Sequence, residues 1–352
     1  MTEQFLKSVQ GCLAGVIIGD AMGMPVETMT PAEILAATGG LGVTGFIDAK
    51  QRNISQLAAF KAGDYTDDWQ LTRAVARSLI RCCGYDQTDQ ALSMIQELQL
   101  SQAGWGRTTK DGLKSLQKYF DTHGQAGRRP SVPRLMTKHL SGSGNGVAMR
   151  VAPIALVDHF LNFYHPDHII ENGQLTHPDC RAWMSAYAIN LILMRIMQTR
   201  LIPSGKNKST TDEDFVDMVR MLDYNHSRFS DHRECQDLIL KCDEVIEIRG
   251  YKFDLAAELN VLRDRIGTSC FCLESVPFSI AIYLRHPYDF RAGVLEAVNA
   301  GGDTDSNASM AGAMIGANVG LDGIPAEWLN FRPEFQEALE LGEQLYRTFY
   351  RQ

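Results

Sequence analysis

The sequence predicts an all-α protein, and three observations support that class. Long windows carry apolar residues three and four positions apart, whereas the period-two alternation of a strand is almost absent. The composition, with 45% hydrophobic and 22% charged residues, is that of a globular protein and excludes a disordered chain, collagen or a disulfide miniprotein. Glycine and proline clusters divide the chain into about a dozen helical segments.

The helical windows are, in chain order, Phe5–Ile18, Leu71–Cys82, Ala91–Leu100, Leu113–Phe120, Val147–Leu161, Ala182–Met197, Leu238–Ile248 and Val294–Val319. The nearest approach to a strand, Gly42–Ile47, is short and rich in glycine. Ser204–Thr211 is the one linker-like stretch. Because helical patterning resumes directly after it, we interpret it as a surface loop within a single domain that spans residues 1–352.

Charge and cysteine content narrow the class of protein further. The 34 Lys and Arg residues and 42 Asp and Glu residues leave a net charge of −8, which disfavours nucleic acid or an anionic membrane as a partner. The N-terminus lacks the positive region of a secretory signal, and we find no apolar stretch of membrane-spanning length. The eight cysteines include no paired CxxC units at zinc spacing, so we expect reduced thiols in a cytoplasmic protein.

Small residues recur every four positions near both ends of the chain. On a helix, positions four apart share a face, so each series forms a smooth stripe that another backbone can approach closely. The two series are Gly11, Gly15, Gly19 and Gly23, and Ala308, Gly312, Gly316 and Gly320. They predict two tightly packed central helices. A four-residue period lacks the tight turn of GxGxxG and no strand precedes it, so a Rossmann fold is disfavoured.

Two acidic clusters with matching composition carry the strongest chemical signal. Asp303, Asp305 and Ser306 follow a glycine pair, and Thr66, Asp67 and Asp68 precede another helical window. One Asp or Ser suffices to cap a helix, and two acids so close together repel each other unless a cation lies between them. Helix capping alone is the alternative. Because Mg²⁺ and Mn²⁺ prefer oxygen ligands, the two clusters together favour a shared two-metal site.

Three further features are weaker. The loop Gly142-Ser143-Gly144-Asn145-Gly146 opens the window that begins at Val147, where free backbone N–H groups and a helix dipole suit a phosphate; a plain flexible loop is the alternative. Glu27 lies on a loop where a helix ends in glycines, and such a residue is usually only solvated. His177 precedes the helix that starts near Ala182, where a cap or surface role is common.

Six motifs in order resemble the ADP-ribosylglycohydrolase family, and they span residues 11–320. They are Gly19-Asp20-Ala21-x-Gly23-x-Pro25-x-Glu27, Thr66-Asp67-Asp68, Gly144-Asn145-Gly146-x-x-Met149-Arg150-x-x-Pro153, Thr176-His177, Glu274-Ser275-Val276-Pro277 and Gly301-Gly302-Asp303-Thr304-Asp305-Ser306. The resemblance implies a single-domain orthogonal helical bundle around a binuclear Mg²⁺ or Mn²⁺ centre. It also implies hydrolysis of the glycosidic bond between ADP-ribose and an acceptor, classically an arginine side chain.

The resemblance assigns roles position by position. The implied metal ligands are Thr66, Asp67, Asp68, Asp303, Asp305 and Ser306. Asp67 or Asp305 would assist catalysis, with Glu27 as the rival. The implied substrate contacts are the diphosphate cradle of Gly142, Ser143, Gly144, Asn145 and Gly146, and His177 against ADP-ribose. We therefore expect a monomer that binds an ADP-ribosylated protein and releases ADP-ribose, without nucleic acid or membrane.

The chain departs from the family pattern at three places. Trp69 replaces the usual Thr after the Asp pair, which predicts a different pocket rim, whereas Ser306 replaces Thr and keeps the hydroxyl oxygen. The segment from about 199 to 260 is longer than in short members. Alternatives left open are a serine-linked or other O- or N-linked acceptor, an inactive ADP-ribose-binding relative, and a nucleotide phosphohydrolase, which the absence of an HD or ExxE helix signature disfavours.

Overall fold

The structure is a computed structural model that describes residues 2–49, 60–123, 132, 142–163, 166–200, 212–229, 236–250 and 255–350. Within these ranges there are no strands, only an isolated bridge between Gly144 and Phe271, so the predicted all-α class is confirmed. The described α-helices are α1 Thr2–Gly23, α2 Pro31–Ala37, α3 Asp67–Cys82, α4 Gln87–Leu100, α5 Arg107–His123, α6 Ala152–Phe160, α7 Asp167–Gly173, α8 Cys180–Arg200, α9 Asp212–Phe229, α10 Gln236–Gly250, α11 Leu255–Arg265, α12 Cys272–Arg285, α13 Phe290–Asn299, α14 Thr304–Val319, α15 Ala326–Leu329 and α16 Gln336–Tyr350.

Helices α1 and α14 form an antiparallel pair at the centre of the core. Their small residues face each other in the order Gly11 to Gly316, Gly15 to Gly312, Gly19 to Ala308 and Gly23 to Thr304. A Cβ atom added to Gly15 would lie 2.0 Å from the carbonyl oxygen of Gly312, so any side chain there would collide with backbone. The predicted close packing of the two helices is confirmed, and the partner of each small-residue stripe is the other stripe.

Two predicted helical windows are interrupted in the structure. The window Val147–Leu161 begins with a three-residue 3₁₀ helix, Ala148–Arg150, and α6 starts only at Ala152, where Pro153 suits the first turn. The window Val294–Val319 breaks between α13 and α14 because Gly301 and Gly302 adopt φ values of 76° and 82°, which are incompatible with a right-handed helix.

The end of α1 differs from the sequence interpretation in part. Helix α1 ends at Gly23, as the sequence predicts, but its glycines also form the contact face with α14. A 3₁₀ turn, Met24–Val26, follows and leads directly to Glu27. Glu27 therefore emerges from the core at a defined point, half-buried, instead of lying on a solvated loop.

The segment near 199–260 contributes to three helices that pack outside α8 and α12. Helix α9 packs on α8, α10 packs on α9 and α12, and α11 packs on α10. The stretch Ser204–Thr211 lies outside the described residues, so its interpretation as a surface loop stays a prediction, as does the single domain.

The expectation that no apolar stretch reaches membrane-spanning length is wrong by length and composition, because one described helical segment, Glu3–Val26, meets both criteria with a mean hydropathy of 1.4. However, 94% of that stretch is buried inside the protein, where it forms the glycine-striped contact with α14. Buried core helices commonly pass the same test, so the match is weak evidence for a membrane span. The seven cysteines in the described ranges are all free thiols, as the sequence predicts.

Candidate active site

A cleft of about 230 Å³ opens where the N-termini of α3 and α14 meet the C-terminal half of α1. Its lining residues are Glu27, Asp67, Asp68, Gly104, Gly106, Arg107, Thr108, Thr109, Gly144, Asn145, Gly146, Met149, His177, Cys270, Asp303, Asp305 and Ser306. We call Glu27, Asp67, Asp68, Asp303, Asp305 and Ser306 the acid end, and Gly144, Asn145, Gly146 and His177 the glycine-loop end.

Asp20, on α1, supports the acid end from behind. Its fully buried carboxylate accepts hydrogen bonds from the Thr66 backbone N–H at 3.0 Å, the Thr66 hydroxyl at 2.9 Å and the Trp69 N–H at 2.9 Å. These bonds satisfy backbone donors at the start of α3, which lacks a side-chain cap of its own. Because the Thr66 proton points to Asp20, the lone pairs of its oxygen are left for another partner.

Asp67 and Asp68 occupy the first turn of α3 and are both buried. Asp67 accepts one hydrogen bond from the Gly106 N–H at 3.2 Å, and Asp68 Oδ2 accepts one from the Ser306 hydroxyl at 3.2 Å. The second oxygen of Asp68, Oδ1, is buried without a hydrogen-bond partner. Burying a carboxylate oxygen without a hydrogen-bond partner costs free energy. Oδ1 of Asp68 is therefore available to bind a cation.

Asp303 and Asp305 lie at the start of α14, where two backbone hydrogen bonds hold the Glu27 segment beside them and a third anchors Asp303. The Thr28 N–H donates to Gly302 O at 2.6 Å, the Gly302 N–H donates to Met29 O at 2.9 Å, and the Asp303 N–H donates to Thr268 O at 2.8 Å. As a result, carboxylate oxygens of Glu27, Asp303 and Asp305 lie within 4.8 Å of one another.

The electrostatics of the acid end are unfavourable for a cluster of bare carboxylates. Burial, reinforced by neighbouring carboxylates, raises the pKa of Asp20, Asp68 and Asp303 well above the ordinary range. Burial alone raises the pKa of Asp305, against hydrogen bonds that lower it. Burial raises the pKa of Asp67 to about 7, although the hydrogen bond from Gly106 opposes the shift. The positive ends of the α3 and α14 dipoles offset only part of this cost.

These residues fit a hard divalent cation. The donors are all carboxylate or hydroxyl oxygens, which Mg²⁺ and Mn²⁺ prefer, and no sulfur or nitrogen ligand lies among them. A cation would give Asp68 Oδ1 the partner it lacks. It would also offset the repulsion among the nearby carboxylates of Glu27, Asp303 and Asp305. The acid end is therefore a possible metal site.

The glycine-loop end is fixed by the rest of the fold. Asn145 N–H donates to Cys270 O at 3.0 Å, and Cys272 N–H donates to Ser143 O at 2.9 Å, which attaches the loop to the start of α12. The side chain of Asn145 donates to Asp303 Oδ2 at 2.7 Å and so links the two ends of the cleft. A Cβ atom on Gly146 would lie 2.8 Å from Cε1 of His177, so loop and imidazole are in close contact.

The structure gathers most of the sequence-predicted residues around one cleft. Both acidic clusters, Glu27, the loop and His177 meet there although they lie far apart in the chain. Three predicted positions are not among its lining residues: Thr66, which is buried behind the acid end, and Gly142 and Ser143, at the outer end of the loop. The roles of all these residues as ligands, catalysts or substrate contacts stay predictions.

Two sequence-based interpretations need correction. The glycine loop does not open a regular helix, because only the three-residue 3₁₀ turn Ala148–Arg150 follows it, so a strong helix dipole is not available there. Trp69 does not alter the cleft rim, because its side chain is fully buried and does not line the cleft.

Sequence reasoning assigns no role to Asp20 or to the cleft residues Arg107, Thr108 and Thr109. Asp20 has a signal in retrospect, since it is a lone acid next to Gly19 on a helix that is otherwise apolar and small. The start of α5 carries no such signal. Arg107 lines the cleft next to Gly106, whose N–H donates to Asp67, a contact between residues far apart in the chain.

The helical fold and the acidic cleft define a class, the all-α hydrolases that act on ADP-ribose linkages, and the comparisons with known proteins agree. The family model described as ADP-ribosylglycohydrolase matches residues 1–352, so the chain belongs to the ADP-ribosylglycohydrolase family. The family resemblance seen in the motifs is thereby confirmed, and the protein is an enzyme of the ADP-ribosylhydrolase type.

Curated relatives and a solved structure cover nearly all of the chain. ADP-ribosylhydrolase ARH3 of Mus musculus is 26% identical over 98% of this chain and 92% of its own length. The ADP-ribosyl-[dinitrogen reductase] glycohydrolase of Rhodospirillum rubrum is 24% identical over 91% of this chain and 88% of its own. A solved ADP-ribosylglycohydrolase-related protein complex has the same fold, with a TM-score of 0.66 and 21% identity over 98% of this chain and 99% of that one.

Proposed function

We propose that this protein is a metal-dependent hydrolase that releases ADP-ribose from a modified protein side chain. The observation that carries the proposal is the convergence of buried carboxylates, with Asp68 Oδ1 unpartnered, beside the glycine loop in one cleft. Two Mg²⁺ or Mn²⁺ ions would be held by oxygens of Thr66, Asp67, Asp68, Asp303, Asp305 and Ser306. Bound there, such cations supply electrostatic stabilisation for an oxocarbenium-like transition state at the anomeric carbon.

The protein's own groups then divide the remaining work. The glycine loop and His177 hold the ADP part of the substrate, so that the distal ribose extends to the acid end. A carboxylate there, Asp305 or Asp67, takes a proton from the attacking water or gives one to the departing acceptor. Glu27 is the rival, because it is only half-buried and its oxygens approach those of Asp303 and Asp305.

The acceptor we propose is an arginine side chain. The acid end places carboxylates, including the half-buried Glu27, where the acceptor leaves, and a guanidinium is attracted to such a surface. One observation favours a second candidate, a serine hydroxyl. Arg107 is exposed at the same cleft, next to the Gly106 N–H that binds Asp67, and its charge repels a cationic acceptor but tolerates a neutral one.

The test is release of free ADP-ribose from arginine-modified and serine-modified peptides, each with Mg²⁺, Mn²⁺ or EDTA, read by mass spectrometry. We expect cation-dependent release from the arginine peptide. Release from the serine peptide alone would replace arginine with the second candidate. ADP-ribose binding in calorimetry without release from either peptide would contradict a hydrolase of these linkages, and nucleoside monophosphate as product would indicate a phosphohydrolase.

The proposal also includes a cytoplasmic location and a monomeric state. The location rests on the cysteines, which include no paired CxxC units at zinc spacing and which we expect to be reduced thiols. Light scattering on the purified chain tests the monomer, and fractionation of the host cell tests the location.

A further inference from the structure

A fully buried cation, Arg150, lies behind the glycine-loop end of the cleft. Its guanidinium donates to Gly146 O, Asn172 Oδ1, Asn172 O and Thr176 Oγ1, each at 2.9 Å. No ion pair between Arg150 and a carboxylate is present among the described residues, which is unusual because a buried charge is normally paired. Burial lowers the pKa of Arg150 to about 10, which still leaves the group charged at neutral pH.

The hydrogen bonds of Arg150 determine which nitrogen of His177 carries the proton. Arginine only donates, so the Thr176 hydroxyl accepts from Arg150 and its own proton must go elsewhere. Its other partner is His177 Nδ1, at 2.8 Å. Thr176 therefore donates to Nδ1, and the neutral ring keeps its proton on Nε2, the nitrogen nearer to Gly144.

His177 stays neutral because of the same surroundings. Burial, followed by the charge of Arg150, lowers the pKa of His177 to about 3. The imidazole lines the cleft, so it presents a fixed Nε2–H donor there without a charge of its own. The positive charge at this end belongs instead to Arg150, which does not line the cleft.

We propose that Arg150 is a positioning residue for the anionic part of the substrate. It orients His177 through Thr176, holds the carbonyl of Gly146, and supplies an uncompensated positive charge behind the loop. The cleft is thereby polarised, with an anion-attracting end opposite the carboxylates of the acid end. The inference deepens the proposed function, on which it rests, because the anion is then the diphosphate of ADP-ribose.

The first experiment needs no substrate. A long-range ¹H–¹⁵N spectrum of the full-length protein is expected to show His177 as the neutral tautomer protonated at Nε2, unchanged from pH 5 to 8. The Thr176→Val variant removes the hydroxyl and leaves the other three Arg150 bonds, so the tautomer should change or become mixed. Thr176→Ser is the matched control and should retain the wild-type spectrum. A wild-type ring protonated at Nδ1 would overturn the proposal.

The second experiment measures binding of ADP-ribose and of adenosine by calorimetry. Arg150→Met is expected to weaken ADP-ribose about 30-fold or more, since a charge-assisted contact is lost, with a much smaller effect on adenosine. Arg150→Lys keeps the charge but not the planar fork and should recover part of the loss. Equal weakening of both ligands would show that Arg150 only supports the fold and would overturn the proposal.

Two controls distinguish a loss of anion binding from a loss of metal binding or of folding. Mn²⁺ binding should be unchanged in the Arg150 variants, since the acid end is intact. If Arg150→Met does not fold, Thr176→Val replaces it, with an expected loss of about tenfold for ADP-ribose and little for adenosine; unchanged ADP-ribose affinity would overturn the proposal. Tight, Arg150-dependent ADP-ribose binding without peptide hydrolysis would contradict the proposed function while supporting this inference.

Discussion

At the acid end of the cleft, closely packed helix backbones place Asp303 and Asp305, whereas at the glycine-loop end side-chain hydrogen bonds orient His177. Asp303 and Asp305 depend on the α1–α14 contact, in which glycines face backbone atoms at distances that exclude any side chain. His177 depends on its neighbour Thr176 and, through it, on Arg150 in the 3₁₀ helix Ala148–Arg150. The acid end therefore tolerates no change in the distance between the α1 and α14 backbones. The glycine-loop end tolerates substitutions that preserve its side-chain hydrogen bonds.

The largest effect is expected from removing a ligand charge at the acid end. Asp303→Asn and Asp68→Asn should each lower ADP-ribose release by about 1,000-fold or more, because the neutral amide cannot replace a carboxylate ligand. Single-turnover release and Mn²⁺ calorimetry measure the two consequences, and Mn²⁺ affinity should fall together with activity. Asp322→Asn is the matched control, since that side chain is 72% exposed and remote from the cleft. Wild-type turnover of either variant with added Mg²⁺ would refute the two-metal proposal.

The α1–α14 contact should lose stability when a single methyl group is added to one of its glycines. Gly15→Ala places a Cβ atom 2.0 Å from Gly312 O, where the partner is backbone and cannot turn aside. We expect a loss of about 3 kcal/mol in the free energy of unfolding, or no folded protein, measured by urea denaturation. Gly146→Ala meets only side-chain atoms, the His177 ring at 2.8 Å and Thr109 Oγ1 at 3.0 Å, so it should weaken ADP-ribose binding about tenfold with a smaller loss of stability. Equal stability losses would remove the distinction between the two ends.

A substitution of Asp20 tests whether the support behind the acid end also affects metal binding by the residues at the start of α3. Asp20→Asn replaces an acceptor oxygen by an NH₂ group that faces the N–H donors of Thr66 and Trp69. Because Thr66 then loses its orientation, we expect metal affinity and turnover to fall about 10- to 100-fold in a folded protein. Circular dichroism establishes folding and calorimetry with Mn²⁺ measures affinity. Unchanged affinity would limit Asp20 to capping α3.

The smallest effect, a few degrees in Tm, concerns pH. A carboxyl whose pKa is raised in the folded state stabilises the fold below its usual value of about 4, and this contribution is lost as pH rises through the folded-state value. For Asp67 the folded-state value is about 7. The EDTA-treated protein should therefore lose Tm between pH 4 and 7, and Mg²⁺ should restore it at pH 7 and above. Scanning calorimetry across this pH range measures the effect. A Tm of the EDTA-treated protein that does not change with pH would contradict the raised pKa values at the acid end.

The sequence predicts what depends on local composition and helical periodicity. The two acid clusters are visible because hydroxyl and carboxylate residues precede helical windows, and the central helices are visible because their glycines repeat every four residues. Their common location in one cleft is not local, since it depends on the antiparallel order of α1 and α14.

The residues that the sequence hides are those whose partners are distant in the chain. The bonds from Arg150 to Asn172 and Thr176 join the 3₁₀ helix Ala148–Arg150 to the end of α7 and the turn after it, and nothing in the composition around Arg150 marks it as a buried charge. The break at Gly301 and Gly302 is hidden for a related reason. Apolar spacing continues across it, and only the positive φ values, stabilised by contacts with Met29 and Thr268, separate α13 from α14.

The pairing of the first long helix with α14 also sets an order of assembly. Gly11 and Gly316 belong to opposite ends of the chain, so their contact closes a loop that includes nearly every other helix. During synthesis, α1 emerges from the ribosome first and has no partner for its glycine face until α14 follows. Such a high-contact-order step is slow, and the carboxylates of α14 join those of α3 only when it is complete. The acid end is therefore complete only after α14 has paired with α1, the longest-range contact of the central helices.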